Sequence, residues 1–140
     1  MTGKSHRLMA ASGAVLLGAS PIFAGAAALG ATLPDRIEIV GLPHRGISHW
    51  PWPWALAVWA MWTQNTEWGM FLAWWLAGAL FHIGADLFTV AGVPLVLPNW
   101  RLRLGVLRTG GTGEYLVVAV FVVAALVQVL QLPVLQMRVP

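Results

Sequence analysis

The chain contains no cysteine. Disulfides and thiolate metal sites are therefore excluded, and any transition-metal site must be built from His, Asp or Glu. Charge is nearly as scarce. Eight Lys or Arg and five Asp or Glu make up 9% of 140 residues, against roughly 25% in a soluble globular domain. The net charge of +3 does not point to nucleic acid, because the arginines form neither a helical stripe nor a basic tail. They read as charges flanking a membrane. What fills the chain is apolar: 59% hydrophobic residues and a mean hydropathy of +0.75, which places it among integral membrane proteins.

The length fits one domain, and the apolar segments divide it. Residues 8–33 are apolar or small except for Ser12, Ser20, Pro21 and Thr32. Lys4, His6 and Arg7 before them, and Ala-x-Ala-like sites near 24–31, also fit a signal peptide. The segment is read as retained, since it is long and further spans follow. Gly18-Ala19-Ser20-Pro21 in its middle favours a tight helical hairpin over one span, because proline removes a donor and clashes with the preceding turn. Three membrane helices are expected beyond it, at about 54–63, 68–88 and 114–132, the last stopped by Pro133. Trp50, Trp52 and Trp54 between prolines mark the headgroup level. Residues 89–99, broken by Gly92, Pro94 and Pro98, read as an interfacial or re-entrant loop. The fold expected is an all-α membrane bundle.

Topology favours the hairpin, with one span as the alternative. A single crossing splits the basic residues three to five, whereas a hairpin puts seven of the eight on one side and leaves only Arg138 opposite. Basic loops stay cytoplasmic. The hairpin therefore places the polar residues on the cytoplasmic face of the inner membrane.

Those polar residues are few and suggestive. His82 and Asp86 stand four apart and share a helix face. Ionisable groups inside an apolar helix are costly unless they face a partner or a cavity. With His6, Asp35, Glu38, His44 and His49 they comprise every histidine and three of the five acids, leaving out only Glu67 and Glu114. Neutral imidazoles and carboxylates suit a divalent metal, Zn first, with Mn or Fe as alternatives. His6, Asp35, His44, His49, His82 and Asp86 are the expected ligands, and Glu38 a ligand or general base. Arg45 would stabilise an anion. A metal with an open position would acidify a water for attack on an ester or phosphoester. The competing reading is a non-catalytic membrane protein with a structural or regulatory polar cluster. The Thr109-Gly110-Gly111-Thr112-Gly113 run lacks the Gly-Lys-Ser/Thr ending of a phosphate loop and reads as a linker.

Several of these stretches carry a resemblance. Met1 to His6, Leu33-Pro34-Asp35, His44-Arg45-Gly46-Ile47-Ser48-His49, and His82-Ile83-Gly84-Ala85-Asp86 followed by Thr89 and Gly92-Val93-Pro94-Leu95 resemble the YdjM-like family of bacterial inner-membrane proteins. That family is described as membrane-bound metal-dependent hydrolases, with one relative in the LexA regulon. The resemblance covers about residues 1–100 and implies a metal cofactor; a site at the membrane surface leads us to expect a lipid or small-molecule substrate. Family members often carry Pro-Asp-x-Asp-His, where this chain has Pro34-Asp35-Arg36-Ile37-Glu38. This departure leaves open whether Glu38 replaces a ligand, and whether one metal or two are held. No sizeable soluble appendage is present to bind a protein partner, and protein partners stay unassigned.

Overall fold

A computed structural model describes residues 1–38, 45–98 and 100–136, with side chains as far as 131. Helix α1 (Gly3–Leu16) begins at Thr2, whose hydroxyl accepts the Ser5 N–H. It ends at Gly18, which adopts a left-handed φ of 85°. There Gly18 N–H bonds the Val15 carbonyl at 2.8 Å and Ala19 N–H the Ala14 carbonyl at 2.9 Å, the paired closure that a glycine permits. Pro21 opens α2 (Pro21–Gly30), at a position where a missing N–H costs nothing. The Gly-Ala-Ser-Pro stretch is thus a turn between two helices, each too short to cross a hydrocarbon core of about 30 Å.

The short helix α3 (Leu33–Glu38) follows, then a 3-10 turn (Ile47–His49), α4 (Pro51–Trp62) and α5 (Glu67–Leu87). Strands β1 (Val93–Pro94) and β2 (Arg101–Leu102) form a small antiparallel ladder, with Val93 opposite Leu102 and Pro94 opposite Arg101. Helix α6 (Thr112–Gln136) closes the chain. The architecture is mostly helical, and two helices are long and apolar enough to cross a membrane: α5, and α6 over Thr112–Gln131. The span expected at 54–63 lies in α4, whose 12 residues reach only about 18 Å. Helix α6 continues past Pro133 to Gln136. A proline so near a helix end disturbs only the last turn.

Small residues bring the helices together. Ala10, Ala14, Ala24, Ala26, Ala27 and Ala31 form one core with Trp74. A Cβ on Gly78 of α5 would strike the Ala27 carbonyl, and one on Gly30 of α2 would strike the Trp75 carbonyl. The α2 and α5 backbones are therefore nearly in contact, as glycine pairs allow. A second core joins Met1, Met9, Ala85, Leu107 and Val118, tying α1 and α5 to α6.

Beyond α5 the chain folds back on that helix. Leu104 N–H bonds the Leu87 carbonyl, and Val106 and Leu107 N–H both reach the Phe88 carbonyl. Carbonyls at a helix end otherwise lack partners. Gly92, at φ 65° with the Leu102 carbonyl where its Cβ would be, makes the close return possible. The stretch expected as an interfacial or re-entrant loop is packed over the end of α5 that carries His82 and Asp86.

Candidate metal centre

The close approach of α2 to α5 sets the first candidate ligand. His82 lies on α5 with its Nδ1 2.7 Å from the Ala31 carbonyl. A carbonyl only accepts, so Nδ1 carries the proton and Nε2 keeps its lone pair. His49, on the 3-10 turn, has Nδ1 2.9 Å from Glu38 Oε1. The carboxylate likewise draws the proton to Nδ1 and leaves Nε2 bare. The two Nε2 atoms are 3.1 Å apart. Two lone pairs at that distance repel unless a cation or a shared proton lies between them.

Carboxylates complete the arrangement. Asp35 Oδ1 is 3.6 Å from His49 Nε2 and 3.5 Å from His82 Nε2. Asp86 Oδ2 is 3.8 Å and 3.6 Å from the same two atoms. Ligands on a four-coordinate ion with bonds of about 2.1 Å are separated by about 3.4 Å. The donor set therefore fits a metal in both chemistry and spacing. Burial holds the His49 imidazole below its ordinary pKa, while Glu38, Asp86 and Asp35 pull it upward and Arg45 pushes it down. The net direction favours the neutral ring that metals bind.

Asp86 faces two ways. Its Oδ1 lies 2.6 Å from the Met1 amine and 3.4 Å from His6 Nε2. His6 stacks on His82 with ring centroids 3.6 Å apart. It is 1% exposed, and neither ring nitrogen has a hydrogen bond. A buried polar group left this way is costly unless something absent from the chain completes it. His6, His82 and Asp86 form a second set of three donors that could hold an ion, beside Asp35, His49 and His82.

Glu38 orients its neighbours. Its Oε1 accepts the Arg45 N–H at 2.6 Å and the Ser48 hydroxyl at 2.6 Å as well as facing His49. Arg45 adopts φ 57°, a left-handed conformation uncommon outside glycine and associated with functional sites. Its Nη2 pairs with Asp86 Oδ2 at 2.9 Å, and its Nη1 donates to Thr89 Oγ1 at 3.1 Å. Thr89 in turn donates to the Asp86 carbonyl at 2.7 Å.

A cavity of about 460 Å³ opens onto the cluster. Met1, His6, Asp35, Glu38, Arg45 and Asp86 line it together with Arg101. Of the residues expected from sequence, His6, Asp35, Glu38, Arg45, His49, His82 and Asp86 converge here. His44 lies outside the described residues. Sequence reasoning gave no role to Thr89, although it stands in the motif after Asp86. It also missed Glu114, which is fully buried and accepts N–H bonds from Thr2 and Gly110, each at 2.8 Å. The only local signal for Glu114 was a carboxylate at the start of an apolar helix.

The model of the family described as YdjM inner membrane protein matches residues 1–137. No curated protein and no solved structure matches the chain.

Proposed function

The chain belongs to the YdjM inner membrane protein family, and from that premise we propose that it is a membrane-bound metal-dependent hydrolase of an ester or phosphoester, lipid-derived or presented at the membrane surface. The observation that carries this reading is the pair of bare Nε2 atoms 3.1 Å apart, flanked by Asp35 and Asp86. His49, His82, Asp35 and Asp86 would hold one ion. His6, next to Asp86 Oδ1, would hold a second or complete the first. Zn suits this donor set best, with Mn or Fe as alternatives. A bound divalent ion would polarise the substrate oxygen and bring the pKa of a water towards neutrality.

The chain's own groups do the rest. Glu38 fixes the His49 tautomer, and the Ala31 carbonyl fixes that of His82. Arg45, held beside Asp86, neutralises charge that develops on the substrate. The side chain of Asp35 is 47% exposed while those of His49, His82 and Asp86 are 2% or less. Substrate and water therefore approach from the Asp35 side. In the membrane, α5 and α6 cross, the α1–α2 hairpin and α4 are partly embedded, and the site faces the cytoplasm. The seven basic residues other than Arg138 support that orientation.

The burial of four donors favours one other reading, a coordinatively closed structural site. Metal content by elemental mass spectrometry on detergent-purified protein, followed by hydrolysis of p-nitrophenyl esters and phosphoesters with and without chelator, separates the two. Near-stoichiometric metal is expected in the wild type and background levels in His82→Ala and in the milder Asp35→Asn, with insertion intact. Unchanged metal in both variants would sink the metal site. Metal whose removal lowers stability without any loss of turnover would establish the structural reading.

A further inference from the structure

Arg101 reads in the sequence as one of three membrane-flanking arginines, with Arg103 and Arg108. Its position is different. Pairing of β2 with β1 sets Arg101 opposite Pro94, and the bonds from Leu104, Val106 and Leu107 to the end of α5 carry that strand back over the helix end. Arg101 thereby lines the cavity shared by His6, Asp35, Arg45 and Asp86. Arg103, two residues on, instead donates to the Val90 carbonyl at 3.4 Å.

We infer that Arg101 and Arg45 form an anion subsite on this cavity, and that the molecule bound there carries a phosphate group. The inference rests on the hydrolase reading and names its substrate class. Arg45 is more than nine-tenths buried, and its Nε has no hydrogen-bond partner. A ligand oxygen would satisfy that donor. Guanidinium N–H groups match the oxygens of a phosphate better than a neutral ester carbonyl, and Arg45, whose Nη groups hold Asp86 and Thr89, has its Nε to offer. Charge points the same way. Asp35, Glu38 and Asp86 on the cavity wall are balanced by Arg45, Arg101 and the Met1 amine, and a divalent cation among the carboxylates tips that balance to positive, so an anion is favoured once metal is bound. A volume of about 460 Å³ lies within the range of small-molecule pockets, roughly 300–1,000 Å³, and accommodates a phosphate with a small substituent.

The test is calorimetric titration of metal-assayed, detergent-purified protein with two probes, inorganic phosphate and monomeric dihexanoyl phosphatidic acid. Arg101→Gln should weaken binding about tenfold or more, and Arg103→Gln less than about twofold, with equal metal content in all samples. Binding of both probes identifies the phosphate group itself as the recognised element. Binding of the lipid alone identifies a headgroup still attached to its chains. Equal affinity in Arg101→Gln and wild type, or no binding of either probe by wild type, overturns the inference. Arg101-dependent binding by a protein that holds no metal would reject the hydrolase reading and leave the anion subsite standing. Metal-loaded protein that ignores the Arg101 change would reject the subsite alone.

Discussion

Helices α5 and α6 are both long enough to cross a membrane, yet 44% of the most apolar stretch of α5 is buried within the protein against 17% for α6. The less apolar helix is the more buried one, with mean hydropathy 1.4 against 2.2. In lipid, apolarity does not drive a helix inward, and close packing depends on small residues that let backbones meet. Helix α5 has Gly69, Ala73, Gly78 and Ala79 at buried positions; the α2 backbone lies against Gly78, and the end of α4 against Gly69. Helix α6 shows Leu116, Val120, Val123 and Leu126 to the outside. The centre belongs to α5 because packing against α2 and α1 delivers the Ala31 carbonyl and His6 to it.

The strongest way to break this contrast is to enlarge a small residue on α5. Leucine at Gly78 would collide with the Ala27 carbonyl and the Gly30–Ala31 backbone, neither of which is a flexible side-chain end. Gly78→Leu is expected to destabilise by about 3 kcal/mol or more, the upper end for overpacking. It should also lower metal content, because separating α2 from α5 removes the Ala31 carbonyl from His82. Thermal unfolding in detergent and elemental analysis of the same sample measure both effects. A variant with wild-type stability would mean that α2 is not held against α5 as described.

The local parts of this arrangement were legible in the sequence. Gly18 and Pro21 announced the α1–α2 turn, because a left-handed closure and a proline at a helix start are local requirements. The i, i+4 spacing of His82 and Asp86 placed both on one face. Convergence of His6, Asp35 and His49 on that face followed from the scarcity of other donors and from the charge rule, not from any local pattern. What could not be read depends on tertiary contacts. Glu38 reads as a ligand or base, and its contacts with the Arg45 N–H, Ser48 and His49 follow from no local pattern. Arg101 looked like a membrane flank until the return over α5 placed it on the cavity. Gln128, isolated in sequence, donates to the Val15 carbonyl at the end of α1 at 3.1 Å.

Glu114 is the charged residue of α6 and the next place to press the comparison. Its two oxygens receive the Thr2 and Gly110 N–H groups, and it is fully buried. Through Thr2 it fixes the start of α1, and hence His6 four residues on. Glu114→Ala leaves two donors without their acceptor and should cost about 1–3 kcal/mol. Glu114→Gln, which keeps one acceptor oxygen, should cost less. Metal affinity should fall in the alanine variant even though Glu114 touches no candidate ligand. Unchanged stability in Glu114→Ala would show that α6 contributes to α1 by apolar packing alone.

The smallest effect is expected on the outer face of α6. Leu126 is 57% exposed, and if that face meets lipid, Leu126→Ala exchanges one apolar contact with the solvent for a smaller one. Stability should change by no more than about 0.5 kcal/mol, the range for exposed positions away from packed features. The same substitution in a packed core would cost about 2–5 kcal/mol, so the measurement separates the two environments cleanly. A loss above about 1 kcal/mol would mean that the exposed face of α6 packs against another protein surface. In a sample that holds this chain alone, an unfolding midpoint that falls on dilution in detergent would then identify that surface as a second copy of the chain, because dissociation of a native-state partner lowers stability.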